Sequence, residues 1–342
     1  MAKKIIAVDC ETDPFLHGRV PMPFIWGAFD GKNYEIFRET TEFVEWLRNK
    51  DCYAYAHNGG KFDFIYLLDY IKETRAKIIS GRIAEMRLGK ARLRDSYSII
   101  PVPLGAIHKD KIDYGLMEAH CREQNMPEII SYLKTDVRVL WETVTTYRKV
   151  AGGALTIASN AMASSKKLGC NPGKTNARYD REFREYYFGG RTECFKPGTH
   201  QNLTIVDIVS SYPKAMMQEH ATGDDRTEKD GPDAIKGLSK EELNRSFIRL
   251  RCNSRGAFPI RKDDGGLDFP HGVREFYVTG WEYNAALEFN IISDVEILSA
   301  VTFKAAINFK PYIEKWFEHK KSHPKKDDPI NYTIGKIMMN SE

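Results

Sequence analysis

The first 150 residues read as an α/β domain and the remainder as α+β. Three features predict this. Short strand-like runs alternate with helix-patterned ones, an Asp-Gly pair separates two apolar runs, and one long amphipathic segment closes the first domain. KKIIAVDCET is a strand, an apolar run rich in β-branched residues. PFIWGAFDGKNYEIF holds two runs around Asp30-Gly31, a pair suited to a tight hairpin. TTEFVEWLRN sets Phe43, Val44 and Leu47 at helical spacing, with Thr40 or Thr41 as N-cap. DCYAYAHN is a further strand. KFDFIYLLDYIKE is predicted as a helix with Phe62, Ile65, Tyr66 and Leu68 among its apolar positions, and RIAEMRLGKARLRDSY as a second hairpin. MPEIISYLKTDVRVLWETVTTYRKV is the longest helix, because Ile129, Leu133, Val137, Leu140 and Val144 recur every three or four residues.

Past Val150, AGGALTIASNAMASSKKLGCNPGKTN is small, polar and Gly-containing, which predicts a connection with one short helix. From about Asp180 a second region begins. It contains the strand-like LTIVDIVSSY, a charged stretch from Gly223 to Lys240, then strands and a helix to about Ala300. KPYIEKWFEHKKSHPKKDDPINYTIGKIMMNSE reads as two helices split by the prolines of HPKKDDP.

The composition bounds the function. With 42% hydrophobic and 29% charged residues, a mainly disordered chain is excluded. The 342 residues suit two or three domains of roughly 100–200 residues each. No apolar run is long enough for a bilayer, and MAKKIIAVDCETD offers no secretory core. Six cysteines without a C-x-x-C pair read as reduced thiols of a cytoplasmic protein. With 51 basic and 47 acidic residues, nucleic-acid binding through local patches is allowed but not demanded.

Chemistry is carried by carboxylates. Asp9 and Glu11 share one face at the end of the first strand. Asn58 and Asp63 follow another strand, and Tyr132 and Asp136 lie four apart on the long helix. Taken singly, each is an ordinary solvated group. Together they are four acids from three elements, which repel one another unless cations neutralise them. Oxygen donors of this kind suit Mg²⁺ or Mn²⁺. Two such ions about 4 Å apart activate water against a phosphodiester, and a neighbouring tyrosine can orient that water.

In this order, Asp9-Cys10-Glu11, Asn58 to Phe62-Asp63, and Tyr132 to Asp136 resemble the three motifs of the proofreading 3′–5′ exonuclease domain of family B DNA polymerases. The resemblance implies a ribonuclease H-like fold over residues 1–150 and two metal ions. Asp9, Glu11, Asp63 and Asp136 would be metal ligands, with Tyr132 placing the attacking water. Thr12, Asn58 and Phe62, and also Ser96 and Tyr97 in DSYSIIPVPL, would touch the 3′-terminal single strand.

The second half extends the likeness. Tyr187-Phe188-Gly189-Gly190 is similar to the family's linker that holds primer–template DNA, here within residues 151–190. DIVSSYP resembles motif A, which implies a metal-holding Asp207 and a Tyr212 packed under the deoxyribose, at the start of a palm over 191–222. Residues 223–318 resemble the terminal-protein region of protein-primed members, which start linear phage or plasmid genomes on a protein hydroxyl. Lys336 to Asn340-Ser341 resembles the opening of motif B, in a fingers segment over 319–342, so Lys336 would meet a triphosphate and Asn340 the incoming nucleotide. The implied cofactor is Mg²⁺ or Mn²⁺, two ions per active site. The implied partners are single-stranded and primer–template DNA, deoxynucleoside triphosphates and a terminal protein, with no membrane, in the host cytoplasm.

NPGKT at Asn171–Thr175 is not a phosphate loop, since the required glycine is Leu168, one position from Gly169. The sequence closes just after Asn340-Ser341, before the motif B Tyr-Gly and the D-T-D of the family. The expectation is an amino-terminal polymerase portion that degrades DNA but does not synthesise it, with Ile337, Met338 and Met339 left without packing. Other readings of the same residues are a stand-alone single-strand nuclease and a non-catalytic module that binds DNA or the terminal protein.

Overall fold

A computed structural model describes residues 3–15, 18–71, 76–108, 110–173 and 177–341. Lys174 and Thr175 of NPGKT, and Lys72 and Glu73 of the expected second helix, lie outside the described residues. The chain divides into two compact units, residues 1–167 with 314–342, and residues 168–313. Among the described residues no helix is long and apolar enough to cross a membrane.

The first unit contains β1 (Lys4–Thr12), β2 (Pro23–Phe29), β3 (Tyr34–Phe37), α1 (Thr40–Arg48), β4 (Cys52–Ala56), β5 (Lys77–Ile79), β6 (Arg82–Leu88), β7 (Ala91–Asp95), α2 (Met126–Val150) and α3 (Ile157–Lys167). The strands form one sheet in the order β3-β2-β1-β4-β7-β6-β5. β1, β4 and β7 are parallel, and the expected hairpins β2–β3 and β6–β7 are antiparallel. On one face Ile6, Val8 and Trp26 pack with Phe43, Val44 and Leu47 of α1, and Trp26 stacks on Phe43 at 4.4 Å. Burying each such side chain contributes about 1.5–3 kcal/mol.

Residues of opposite parity face α2. Gly27 pairs with Asp9 across β1–β2. A Cβ on Gly27 would lie 2.7 Å from Leu133 Cγ, so the missing side chain lets α2 lie close on β2. Trp141 Nε1 donates to Ile5 O at 3.2 Å and ties α2 to β1. This close approach brings Tyr132 and Asp136 towards Asp9.

Two local expectations are corrected in this unit. The segment after β4 forms not an α-helix but a 3₁₀ turn, Gly59–Lys61, and a 3₁₀ helix, Asp63–Tyr70. Its fully buried apolar residues Phe64 and Leu67 are three apart, the 3₁₀ period, with Tyr66, Leu68 and Tyr70 packed on the same core and Ile65 exposed. The N-cap of α1 is Glu39, because Thr40 Oγ1 instead accepts from Trp26 Nε1 at 3.0 Å.

The second unit contains α4 (Ala177–Glu182), α5 (Ser211–Met216), β8 (His220–Asp230), α6 (Lys240–Asn244), β9 (Ser246–Arg255), β10 (Ile260–Arg261), β11 (Leu267–Asp268), β12 (His271–Thr279), α7 (Gly280–Glu288) and β13 (Ile292–Ile307). An antiparallel sheet runs β12-β9-β13-β8. Alternation in β9 puts Ile248, Leu250 and Cys252 in a core with Phe276, Val278, Tyr283 and Ala286. Thr279 and Glu282 cap α7 reciprocally. The first part of the charged Gly223–Lys240 stretch is strand, since β8 pairs along β13 as far as Asp230.

LTIVDIVSSY is not a strand. Ile205, Val206, Ile208 and Val209 are exposed, and no ladder partner lies beside them among the described residues. A strand without a ladder leaves its amide and carbonyl groups unpaired. Ser210, at φ 56, turns the chain into α5.

α8 (Lys310–Ser322) and α9 (Pro329–Met339) stand on either side of the HPKKDDP break. Asp328 caps α9 by accepting from Asn331 N at 3.0 Å. Contrary to expectation, Ile337, Met338 and Met339 are buried, and the Tyr147 hydroxyl of α2 donates to Met338 Sδ at 3.6 Å.

Candidate metal and nucleic-acid site

The pairing of β1 with β4 ends at Ala7 and Tyr55. Asp9 and Glu11 therefore project from β1 past the carboxyl end of β4, where parallel-sheet proteins place their sites. One turn apart on α2, Tyr132 and Asp136 come down on the same place. Carboxylate oxygens of Asp9, Glu11 and Asp136 all lie within 4.8 Å of one another, with Glu11 and Asp136 buried. This oxygen-only donor set fits a hard divalent cation, whose charge would offset the mutual repulsion. Such cations, when bound, activate water and stabilise the leaving oxygen of a phosphodiester. Burial first, then Asp136 and a hydrogen bond with Tyr114, hold the Tyr132 hydroxyl protonated well above its ordinary range.

Asp63 stands apart from those three. It lines the same cleft, but its Oδ1 accepts from the Cys10 amide at 3.2 Å and its carboxyl also bonds the Cys10 thiol. Burial raises Asp63 to about 6, and burial followed by the charge of Asp63 pushes the Cys10 thiol up.

The cleft measures about 750 Å³, and its lining includes Asn58, Phe62 and Tyr97 with the four acids and Tyr132. Asn58 adopts φ 63, a left-handed conformation that asparagine tolerates. Arg82 Nη1 donates to Asn58 Oδ1 at 3.1 Å and to the buried Asp95 Oδ2 at 2.6 Å, while its guanidinium lies 4.4 Å from the Tyr97 ring. Thr12 lines an adjoining hollow and donates from its hydroxyl to Asp13 O at 3.0 Å. Ser96 is fully buried behind the wall. Its hydroxyl bonds His57 Nδ1 at 2.9 Å and Ala56 O at 3.2 Å, so the side chain that reaches the cleft is His57.

His57, Lys61, Arg82 and Tyr114 are cleft residues that sequence reasoning missed. Tyr114 belongs to a 3₁₀ turn with no periodic pattern, whereas His57 and Lys61 adjoin the Asn58–Asp63 motif and were within reach of it.

In the second unit, Tyr187 is exposed, and its carbonyl accepts from Arg261. The position of a Cβ on Gly190 is 3.4 Å from the Tyr212 hydroxyl, so the Y-x-G-G element and the tyrosine of DIVSSYP are neighbours. Nothing lies within 4 Å of such a position on Gly189. Asp207 is exposed on the unpaired segment. Lys336 on α9 and Asn340, its C-cap, are both exposed, and Asn340 Nδ2 donates to Lys336 O at 2.7 Å.

A raised carboxyl pKa has a definite sign in stability. Ionising Asp63 costs the metal-free fold, so its contribution is complete below about pH 4 and is lost as pH rises through about 6. The effect is at most about 3 kcal/mol. Metal-free protein is expected to melt at a lower temperature at pH 7.5 than at pH 5, with Asp63→Asn flattening that dependence. Scanning calorimetry of both proteins in EDTA checks it, and equal slopes would refute the buried-acid assignment.

The mixed α/β fold that carries the acid cluster is that of a phage DNA polymerase. It superposes on phi29 DNA polymerase in an orthorhombic crystal form with TM-score 0.73 at 20% identity, covering 99% of this chain and 67% of that one. Phi29 DNA polymerase complexed with single-stranded DNA gives TM-score 0.70 at 19% identity, again covering 99% and 67%. The DNA-directed DNA polymerase of Enterobacteria phage PRD1 is 34% identical over 347 residues, which cover 99% of this chain and 60% of that protein. The chain thus spans about three fifths of the length of that relative. Residues 107–342 match the family model of DNA polymerase type B, organellar and viral, and the chain belongs to that family. The resemblance to its protein-primed, phage-type members, drawn from the motifs, stands.

Proposed function

We propose that the first unit removes nucleotides from the 3′ end of single-stranded DNA with two Mg²⁺ or Mn²⁺ ions. It would serve as the proofreading part of a protein-primed DNA polymerase that copies a linear phage or plasmid genome in the host cytoplasm. The observation that carries this reading is the cluster of Asp9, Glu11 and Asp136 oxygens within 4.8 Å, in a cleft that also holds Tyr132, Asn58, Phe62 and Tyr97. Asp9, Glu11 and Asp136 hold metal. Asp63, anchored on Cys10, completes the set from the side, and Tyr132 orients the water. Asn58, Phe62, Tyr97 and Thr12 contact the strand, and Ser96 fixes His57 against it.

For synthesis, Asp207 supplies a palm metal ligand, Tyr212 the sugar check, Lys336 a triphosphate contact and Asn340 a nucleotide contact. Tyr187, Gly189 and Gly190 hold primer–template DNA, the glycines allowing a phosphate to come close to the backbone. Residues 223–318 receive the terminal protein.

The nuclease is tested with a 5′-labelled single-stranded oligonucleotide and the purified protein. A ladder shortening from the 3′ end is expected in Mg²⁺ or Mn²⁺ and none in EDTA. Tight binding with the label left at full length, at saturating metal, would make the unit a binding module instead.

A further inference from the structure

Phe15 is 75% exposed, yet it lines the acid-bearing cleft as well as the hollow beside it. Its ring centroid is 5.7 Å from that of Phe62, tilted by 34°, and Phe62 in turn meets Tyr66 edge-on at 5.4 Å. The three rings form an aromatic column that rises from the 3₁₀ helix to the cleft, with Phe15 at its exposed end. At 5.7 Å the Phe15 and Phe62 rings are within the contact range of an aromatic pair, so no base fits between them. The free stacking surface is therefore the outer face of Phe15. Lys61 on the cleft wall supplies positive charge for a phosphate backbone, and an aromatic face beside positive charge is the arrangement that holds single-stranded nucleic acid.

We propose that Phe15 is a strand-binding residue on whose outer face a base of the single-stranded DNA entering the cleft stacks. This rests on the nuclease reading above and adds a contact to it. The stacked base extends the column and shields the exposed ring from water. Any base serves, because every base has a π-face, so the contact holds the strand without selecting its sequence.

The experiment measures Kd by fluorescence anisotropy for a single-stranded oligodeoxynucleotide, in protein carrying Asp9→Ala so that the strand stays intact. Phe15→Ala should weaken binding about 5- to 150-fold, and Phe15→Trp should preserve it. An oligonucleotide with abasic sites near its 3′ end should lose most of that difference, which a merely structural role for Phe15 would not produce. In the protein with Asp9 intact, Phe15→Ala should raise KM far more than it lowers kcat. Equal Kd values for the two proteins, or an equal difference with the abasic oligonucleotide, would overturn the stacking assignment. Hydrolysis that persists in Asp9→Ala protein would instead overturn the nuclease reading.

Discussion

Replacing Asp9 or Asp136 by alanine is expected to lower single-strand degradation by about three orders of magnitude or more at saturating Mg²⁺. The two residues come from β1 and α2, and their carboxylates meet Glu11 within 4.8 Å. Removing either takes an oxygen donor from a site whose remaining acids cannot by themselves deprotonate water at neutral pH. Each residue differs in what else it does. Asp136 is buried on α2 one turn from Tyr132, so its loss also removes the charge beside that hydroxyl. Asp9 is half-buried and sits opposite Gly27, where alanine fits the strand without a new clash. Single-strand affinity should therefore survive Asp9→Ala almost unchanged, since binding rests on the aromatic and basic wall. Quenched-flow turnover with a parallel anisotropy titration separates the two quantities. Turnover within tenfold of the unmodified protein for both variants would remove these residues from the chemistry.

The parts of the fold that were legible in the sequence are those where local pattern and tertiary need coincide. α2 occupies the same 25 residues that its three- and four-residue apolar spacing marked, because one continuous stripe packs on one sheet face. Asp30-Gly31 closes the β2–β3 hairpin for the same reason, with Gly31 at φ 92. Errors arose where a distant partner decides. Residues 63–70 carry helix-forming apolar residues, but of these the core fully buries only Phe64 and Leu67, three apart, and leaves Ile65 exposed. The run around Asp207 has strand composition, yet β-structure is a property of a ladder and not of a segment.

The site divides in the same way. Asp9, Glu11, Tyr132 and Asp136 were readable because two spacings, i+2 on a strand and i+4 on a helix, each place a pair on one face. That Asp63 would be turned onto the Cys10 amide, and that Ser96 would hold His57 from behind, depends on atomic distances that no spacing encodes. Phe15 and Tyr114 lie on irregular chain, where periodicity carries no information.

The second large effect is expected from a residue with no side chain at all. Gly60 lies in the turn between Asn58 and Phe62-Asp63, against β6. A Cβ there would overlap the Ile83 carbonyl oxygen and come within 2.9 Å of Asp95 Oδ2. The first obstacle is β6 backbone, paired at Ile83 with Ile78 of β5, and it cannot swing away as a side chain tip would. The second is the carboxylate that holds Arg82, itself bonded to Asn58. Gly60→Ala must therefore lift the turn away from β6, and Asn58, Phe62 and Asp63 move with it. Overpacking of this kind costs about 3 kcal/mol, or roughly 6–12 °C in the melting temperature of a domain of this size. Gly81→Ala is the control. Gly81 sits in the β5–β6 turn at φ 69 with nothing within 4 Å, so only backbone strain of about 1 kcal/mol is added. Activity should separate the pair further. A shift of about 1 Å in groups that place the strand can cost about 10²-fold, so degradation by Gly60→Ala should fall by that order even at temperatures where the variant is fully folded. Asp9, Glu11 and Asp136 lie outside the turn, so the tighter Mn²⁺ step in a titration, at the site these three form, should change far less than turnover does. If Gly60→Ala melted and turned over like Gly81→Ala, the close packing of the turn on β6 would not be what aims Asn58 and Phe62 into the cleft.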